Sequence, residues 1–360
     1  MKTKYLSILI GVLLTVSFLV GCAAPTAAPV QPAENTESKP LRVLLIGNSR
    51  FGDLGPMDDY ARGLDQCAQK YGYEIKKLES VQPERNEEDV RAMVKEGYDL
   101  IITTFPGMSE ATKVVAIDNP NQKFFAIYQF INAGEEKIPN IWSSEFRGFE
   151  AGYMMGAFAA KMTESKKIGF VAGQPSESIN SDINGFMQGV QATCPECSVE
   201  VGFANNWEDP ALGKEIASAM ISRGVDFIQT EASKTQLGVI EAAKEAGILI
   251  SGDNGDNYDL YKEGFVSWLG WSFSRSVEVA CDYLNEGTLP LGQHTYMNLQ
   301  NGGVYVNWDD VTRFVNDNPK YADRVNTAMK FAQDIEAKIG SGEIKPIYNI
   351  DTPKGLEPGS

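Results

Sequence analysis

Histidine is almost missing: the 360-residue chain has one, His294. A Ser-His-Asp triad would have to be built on it, and no nucleophile-elbow sequence is present. His294 stands in a Gly/Thr-rich stretch that reads as a linker, so its ring is expected at the surface. There is no Walker loop and no Gly-x-Gly-x-x-Gly after a first strand, so the usual phosphate cradles are lacking. Carboxylate pairs such as Asp58-Asp59 are neighbours in sequence and point to different helix faces. Positive charge is short as well: 32 Lys and Arg face 48 Asp and Glu, a net −16 at pH 7. That is the wrong sign for a nucleic-acid face. After residue 22 the longest apolar run, Ala151–Ala160, falls far below the ~20 residues of a membrane span. The chain therefore reads as a binding protein without chemistry, with no cofactor, no metal and no nucleic-acid partner.

Cysteine is sparse, with five residues. Cys194 and Cys197 form a single CxxC at a helix C-terminus, where the dipole does not lower a thiol pKa. One such pair is only half of a typical zinc site. Outside the cytoplasm it fits a local disulfide, a reading the spacing alone leaves open. Cys67 and Cys281 are read as core residues. Cys22 is different. Lys2 and Lys4 precede the apolar run Leu6–Val20, and Leu19-Val20-Gly21-Cys22 matches a lipobox. Residues 1–22 are thus expected to be a lipoprotein signal peptide, with lipid on Cys22 holding the protein to the outer face of the cell membrane. Residues 23–40, rich in Ala, Pro, Thr and Glu, read as a flexible tether.

What remains is an alternation of strands and helices. Strands are expected at Leu41–Ile46, Tyr73–Leu78, Tyr98–Ile102 and Lys123–Phe130, with helices between them. A helix over about 145–162 carries Gly148, Gly152, Gly156 and Ala160 on one face. Each helical glycine costs roughly 0.5–1 kcal/mol against Ala, so a close backbone contact is expected in return. A second series follows: strands at Ile168–Val171, Val199–Phe203, Val225–Thr230, Ile248–Ser251 and Phe265–Leu269. Asp209-Pro210 is a strong helix start. Helix 272–284 crosses back, Gly303–Val306 is expected to rejoin the first lobe, and Tyr321–Ile339 is a C-terminal helix. The pattern predicts an α/β fold of two doubly wound parallel-sheet lobes with a hinge and an interlobe cleft. The N-terminal lobe is expected at 41–145 plus about 272–347, the C-terminal lobe at 146–271.

Ligands in such sheets bind beyond the C-terminal strand ends. The loops there carry Phe51, Asp53, Phe105, Trp207, Glu231 and Asp253, aromatics and acids suited to a neutral ligand with a flat ring and hydroxyls.

Three segments together resemble the basic membrane protein (BMP) lipoproteins, the PnrA-like substrate-binding proteins of ABC transporters. They are EAGYMMGAFAAKMTESKKIGFVAG at 150–173, DPALGKEIASAMISRGVDFI with LGVIEAAKEAGI at 209–248, and FGDLGP at 51–56. The likeness runs from about Leu41 to Ile347. It implies a periplasmic-binding-protein fold of type I and a cleft for purine nucleosides or related molecules, delivered to ABC permease and ATPase subunits. It assigns base contacts to Asp53, with Phe51 and Phe105 beside it, a stacking role to Trp207, and ribose hydroxyls to Asp253. The usual Gly-rich loop reads Glu231-Ala-Ser-Lys-Thr here, so Glu231 and Lys234 would add charge at the cleft. A sensory lipoprotein signalling to a membrane partner, or an extracytoplasmic enzyme, are the alternatives on the same scaffold. The lipobox reading has a direct test. Cys22→Ala should abolish lipidation and leave unprocessed precursor. Fatty-acid labelling that persists in the variant would overturn it.

Overall fold

Short apolar runs separated by helix-length segments must pair in parallel, because each return is made by a crossing helix. In the computed structural model, which describes residues 39–52, 56–253 and 257–359, this yields two six-stranded sheets. The signal peptide, Cys22, Asp53 and residues 254–256 lie outside the described residues. The first run places β1 (Arg42–Gly47), α1 (Pro56–Tyr71), β2 (Glu74–Glu79), α2 (Asn86–Val94), β3 (Leu100–Thr104), α3 (Ser109–Asp118), β4 (Phe124–Ile127) and β5 (Ile141–Phe146). The second places α4 (Gly148–Met162), β6 (Lys167–Ala172), α5 (Glu177–Thr193), β7 (Ser198–Phe203), α6 (Pro210–Ser222), β8 (Phe227–Glu231), α7 (Gln236–Ala246), β9 (Leu249–Asp253) and β10 (Phe265–Trp271). The chain then runs through α8 (Phe273–Glu286), β11 (His294–Met297), β12 (Val304–Val306), α9 (Trp308–Asp317) and α10 (Ala322–Ser341).

Strand order is β11-β5-β4-β3-β1-β2 in the first sheet and β12-β10-β9-β8-β6-β7 in the second. The two repeat one plan, with the order reversing between β1 and β3 and again between β6 and β8. Two expectations change here. Val304–Val306 does not rejoin the first sheet; it pairs antiparallel with β10, Leu269 opposite Val306. The strand that does return is β11, parallel to β5 with His294 opposite Ser143. His294 is therefore no surface linker residue. Its side chain is 5% exposed, Nδ1 lies 2.8 Å from Ser143 Oγ, and its ring lies over Phe130. A four-residue strand in a polar, Gly-flanked stretch has too little apolar patterning to announce itself.

The close contact expected of the helical glycines is present, and its partner is α5. A Cβ on Gly152 or Gly156 would strike the carbonyls of Asp182 or Phe186. Across the contact, a Cβ on Gly185 or Gly189 would strike those of Phe149 or Tyr153. Buried faces of both helices thus meet backbone to backbone.

The chain passes between the sheets three times: at Arg147, at Ser272 and over Asn298–Gly303. These passages are bonded side by side. Arg147 N donates to Met297 O at 2.9 Å and Ser272 N to Gly303 O at 2.8 Å. Beyond α10, the tail lies along α5. Asn180 donates to Ile350 O, Asn184 to the carbonyls of Asn349 and Asp351, and Gln188 to Ile347 O, all at 2.8–2.9 Å.

Cys194 and Cys197 are bonded to each other. Cys67 and Cys281, read as separate core residues, are bonded too, joining α1 to α8 across 214 positions. The two helices meet closely there: Gly63 faces Ser274 and Ser274 N donates to Asp59 Oδ2 at 3.0 Å. Removing a native disulfide typically costs about 2–5 kcal/mol. Cys67→Ser with Cys281→Ser should lower the urea midpoint accordingly. An unchanged midpoint would mean that the bridge does not form.

Candidate functional site

Phe105 follows β3 and precedes Pro106, which excludes the helical region for it. The turn into the next helix is so tight that Phe105 adopts φ 64°. Tyr128 follows β4 with φ 59°. Asn205 after β7 and Ser233 after β8 are also left-handed. Backbone held in this region costs of order 1–3 kcal/mol per residue and clusters where ligands bind. Among the described residues, four of the five non-glycine cases stand at C-terminal strand ends; the fifth, Lys166, precedes β6.

On the side of the first sheet these ends build an aromatic wall. Phe105 meets Tyr60 of α1 edge-on at 5.7 Å, and Tyr128 and Phe273 at 6.0 Å each. Phe273 lies 4.9 Å from Tyr60 and 5.2 Å from Phe146. The Tyr60 hydroxyl is buried without a partner. Burial, with the Tyr128 phenol and Asp59 nearby, pushes its pKa well up. Phe51 is half-buried against the same core, its amide held by Glu79 Oε1 at 3.0 Å.

On the side of the second sheet the wall is acidic. Glu231 closes β8 and Asp253 closes β9, with Asp182 on α5; they are 3, 7 and 3% exposed. Burial raises the Asp253 carboxyl to about 7, against the pull of the Ala232 and Asp253 amides. Burial drives Glu231 well up, and the charges of Asp182 and Asp253 push further. Asp182 is also driven up by burial, with the Ser181 hydroxyl opposing. Glu231 Oε2 and Asp253 Oδ1 are buried with no hydrogen-bond partner. The two walls face one another: burial dominates the rise of the Tyr128 pKa, Ser178 opposes it, and the charges of Asp182 and Glu231 add to it. Among the described residues no three His, Cys, Asp or Glu are grouped to hold a metal ion.

Of the sequence candidates, Phe105, Glu231 and Asp253 line these walls. Trp207 stands at the rim, half-buried, its six-membered ring against the backbone of Gly173. Asp209 caps α6 as expected, accepting from Leu212 N at 3.1 Å. Lys234 adds no charge to the cleft, because it turns to solvent and pairs with Glu208 at 2.6 Å. Tyr128, Asp182 and Phe273 carry no signal in the sequence that points to the site, and Tyr60 reads there only as one residue of a helix face. The concave surface beside α1 and α8, lined by Lys70, Tyr71, Glu278 and Asp282, has its charges already paired, Lys70 with Asp282 at 2.9 Å and Glu278 with Arg275 at 3.2 Å.

Known proteins share this plan. The chain is 28% identical over 240 residues to the ABC transporter nucleoside-binding protein BmpA of Lactococcus lactis, covering 62% of this chain and 67% of that one. It is 26% identical over 322 residues to a purine-binding protein of Brucella abortus, covering 87% and 85%. An ABC transporter solute-binding protein from Aeropyrum pernix superposes with a TM-score of 0.67 over 88% of this chain and 94% of its own, at 24% identity, a likeness of fold. The family described as ABC transporter substrate-binding protein PnrA-like (Bmp) matches residues 41–345. With most of its length inside that match, the chain belongs to the PnrA-like family, the solute-binding and non-enzymatic components of ABC transporters.

Proposed function

We propose that the chain binds a purine nucleoside or a close relative between its aromatic and acidic walls and delivers it to an ABC permease, held at the outer membrane face through Cys22. The observation that carries this reading is the pairing itself: a cluster of edge-on and tilted rings around the strand ends of one sheet, buried acceptor oxygens without partners at those of the other. A flat base with a hydroxylated sugar supplies what each wall lacks. The nucleoside-binding relative from Lactococcus and the purine-binding relative from Brucella support the same class. In this reading the region around each sheet is one lobe, and the lobes close about the three passages at Arg147, Ser272 and Asn298–Gly303. Phe51, Asp53 and Phe105 sit on the base side, Asp253 accepts from ribose hydroxyls, and Trp207 stacks at the rim.

A ligand at about 100 times its dissociation constant adds roughly 2.7 kcal/mol of stability, at least about 2 °C in melting temperature for a chain of this size. A thermal-shift panel of nucleosides, free bases, riboflavin, pentoses and hexoses should respond to nucleosides. Asp253→Asn removes a charge-assisted bond of roughly 1.5–3 kcal/mol and should weaken nucleosides more than free bases. Trp207→Ala should cost roughly 1–3 kcal/mol if the ring stacks. Equal binding by this variant would return Trp207 to packing on Gly173, and a response to sugars or flavin alone would overturn the ligand class.

A further inference from the structure

The acidic wall has more acceptors than a neutral sugar can use. A vicinal diol satisfies the two oxygens of one carboxylate, which leaves two more acids short of donors. Asp182, Glu231 and Asp253 come from three elements, α5, β8 and β9, and each is at least nine-tenths buried. Asp182 has the Ser181 hydroxyl at 3.2 Å. Asp253 has the amide of Ala232. Glu231 Oε2 and Asp253 Oδ1 have nothing, and on the opposite wall the Tyr60 hydroxyl, fully buried, has nothing either.

No basic side chain answers these acids. In the neighbouring loops Lys234 pairs with Glu208, Arg147 with Glu150 at 3.0 Å, and Arg50 is exposed. The polar groups near the pair Asp182 and Glu231 are neutral or acidic: Ser178 and Ser181 on α5, Tyr128 after β4, Asp253 at the end of β9 and Tyr348 of the tail, the two tyrosines also feeling Glu145. From α4, the backbone of Gly148 packs directly on the Asp182 carboxylate. Buried carboxylates with so few donors need a proton or a cation to offset their charge. The Tyr128 ring, which continues into the aromatic cluster through Phe105, stands beside them, and an aromatic ring beside carboxylates is the environment that favours a cationic centre.

We propose that the solute is cationic, carrying a protonated amine or a fixed positive centre on its ring or sugar, and that Asp182 and Glu231 hold that charge. This rests on the reading of the cleft as a site for a ring-bearing solute. With no cation beside them the carboxyls are held towards their protonated form, because burial favours the neutral group. A cationic ligand takes the place of a proton, which leaves to the buffer. Binding therefore releases protons and tightens as pH rises, so long as the ligand's own amine stays charged.

The test uses matched pairs, adenosine with 5′-amino-5′-deoxyadenosine and glucose with glucosamine. Each is titrated calorimetrically into the mature chain in two buffers of different ionisation enthalpy, across mildly acidic to mildly basic pH. The aminated member should bind about ten-fold tighter or better near neutral pH, with net proton release. Asp182→Asn and Glu231→Gln should each shrink that preference while keeping the native melting profile. No preference for the amine in either pair, or proton uptake on binding, overturns the proposal. A preference confined to the sugar pair would leave it standing and defeat the nucleoside reading. Equal, tight binding of both nucleosides would do the reverse.

Discussion

The contact of α4 with α5 is the constraint on which the site depends. Gly152 and Gly156 on one helix and Gly185 and Gly189 on the other leave no room for a side chain at the crossing. Four such glycines forfeit roughly 2–4 kcal/mol of helix propensity. Dispersion between closely packed backbones offsets this, since every extra atom pair at contact distance adds a little. The result is a fixed α5. Its one side carries Asp182, pressed on Gly148, and its other side carries Asn180, Asn184 and Gln188 bonded to the tail. An alanine at 148 would move the carboxylate without touching any ligand.

Binding here draws on two kinds of stored cost. Phe105 and Tyr128 hold unfavourable backbone angles, and Glu231 and Asp253 keep acceptor oxygens away from water. In the reading proposed above, both are offset when a solute supplies a ring face and hydrogen-bond donors.

Local signals were legible in the sequence; long-range ones were not. Asp209-Pro210 starts its helix and Gly148, Gly152 and Gly156 make their close contact, because capping and helical spacing act over a few residues. The alternation that builds both sheets is equally local. Tyr128 was hidden because the strand reads on to Phe130, whereas β4 stops at Ile127. That three-residue difference turns a strand residue into a wall of the candidate site. Asp182 was hidden because an acid on a helix ordinarily marks a solvated face, and only the tertiary contact with α4 buries it. The bond from Cys67 to Cys281 spans 214 positions, and nothing in either neighbourhood names the partner. Short strands such as β11 and β12 take their identity from the sheet edge they join.

The order of the strands has a consequence for how this chain can be handled. The first sheet is finished by β11, and the second, although it starts at β6, is finished only by β12. Each sheet thus borrows its last strand from a segment that follows the body of the other. No single cut yields two complete halves: a fragment ending before residue 294 leaves both edges unpaired, and one beginning at 148 still carries β11, a strand whose neighbour has gone. An exposed edge of that kind recruits other chains. Fragment expression, circular permutation or lobe swapping with a relative would therefore have to move two separated stretches of gene together, cut at the three passages where the backbone changes sheets.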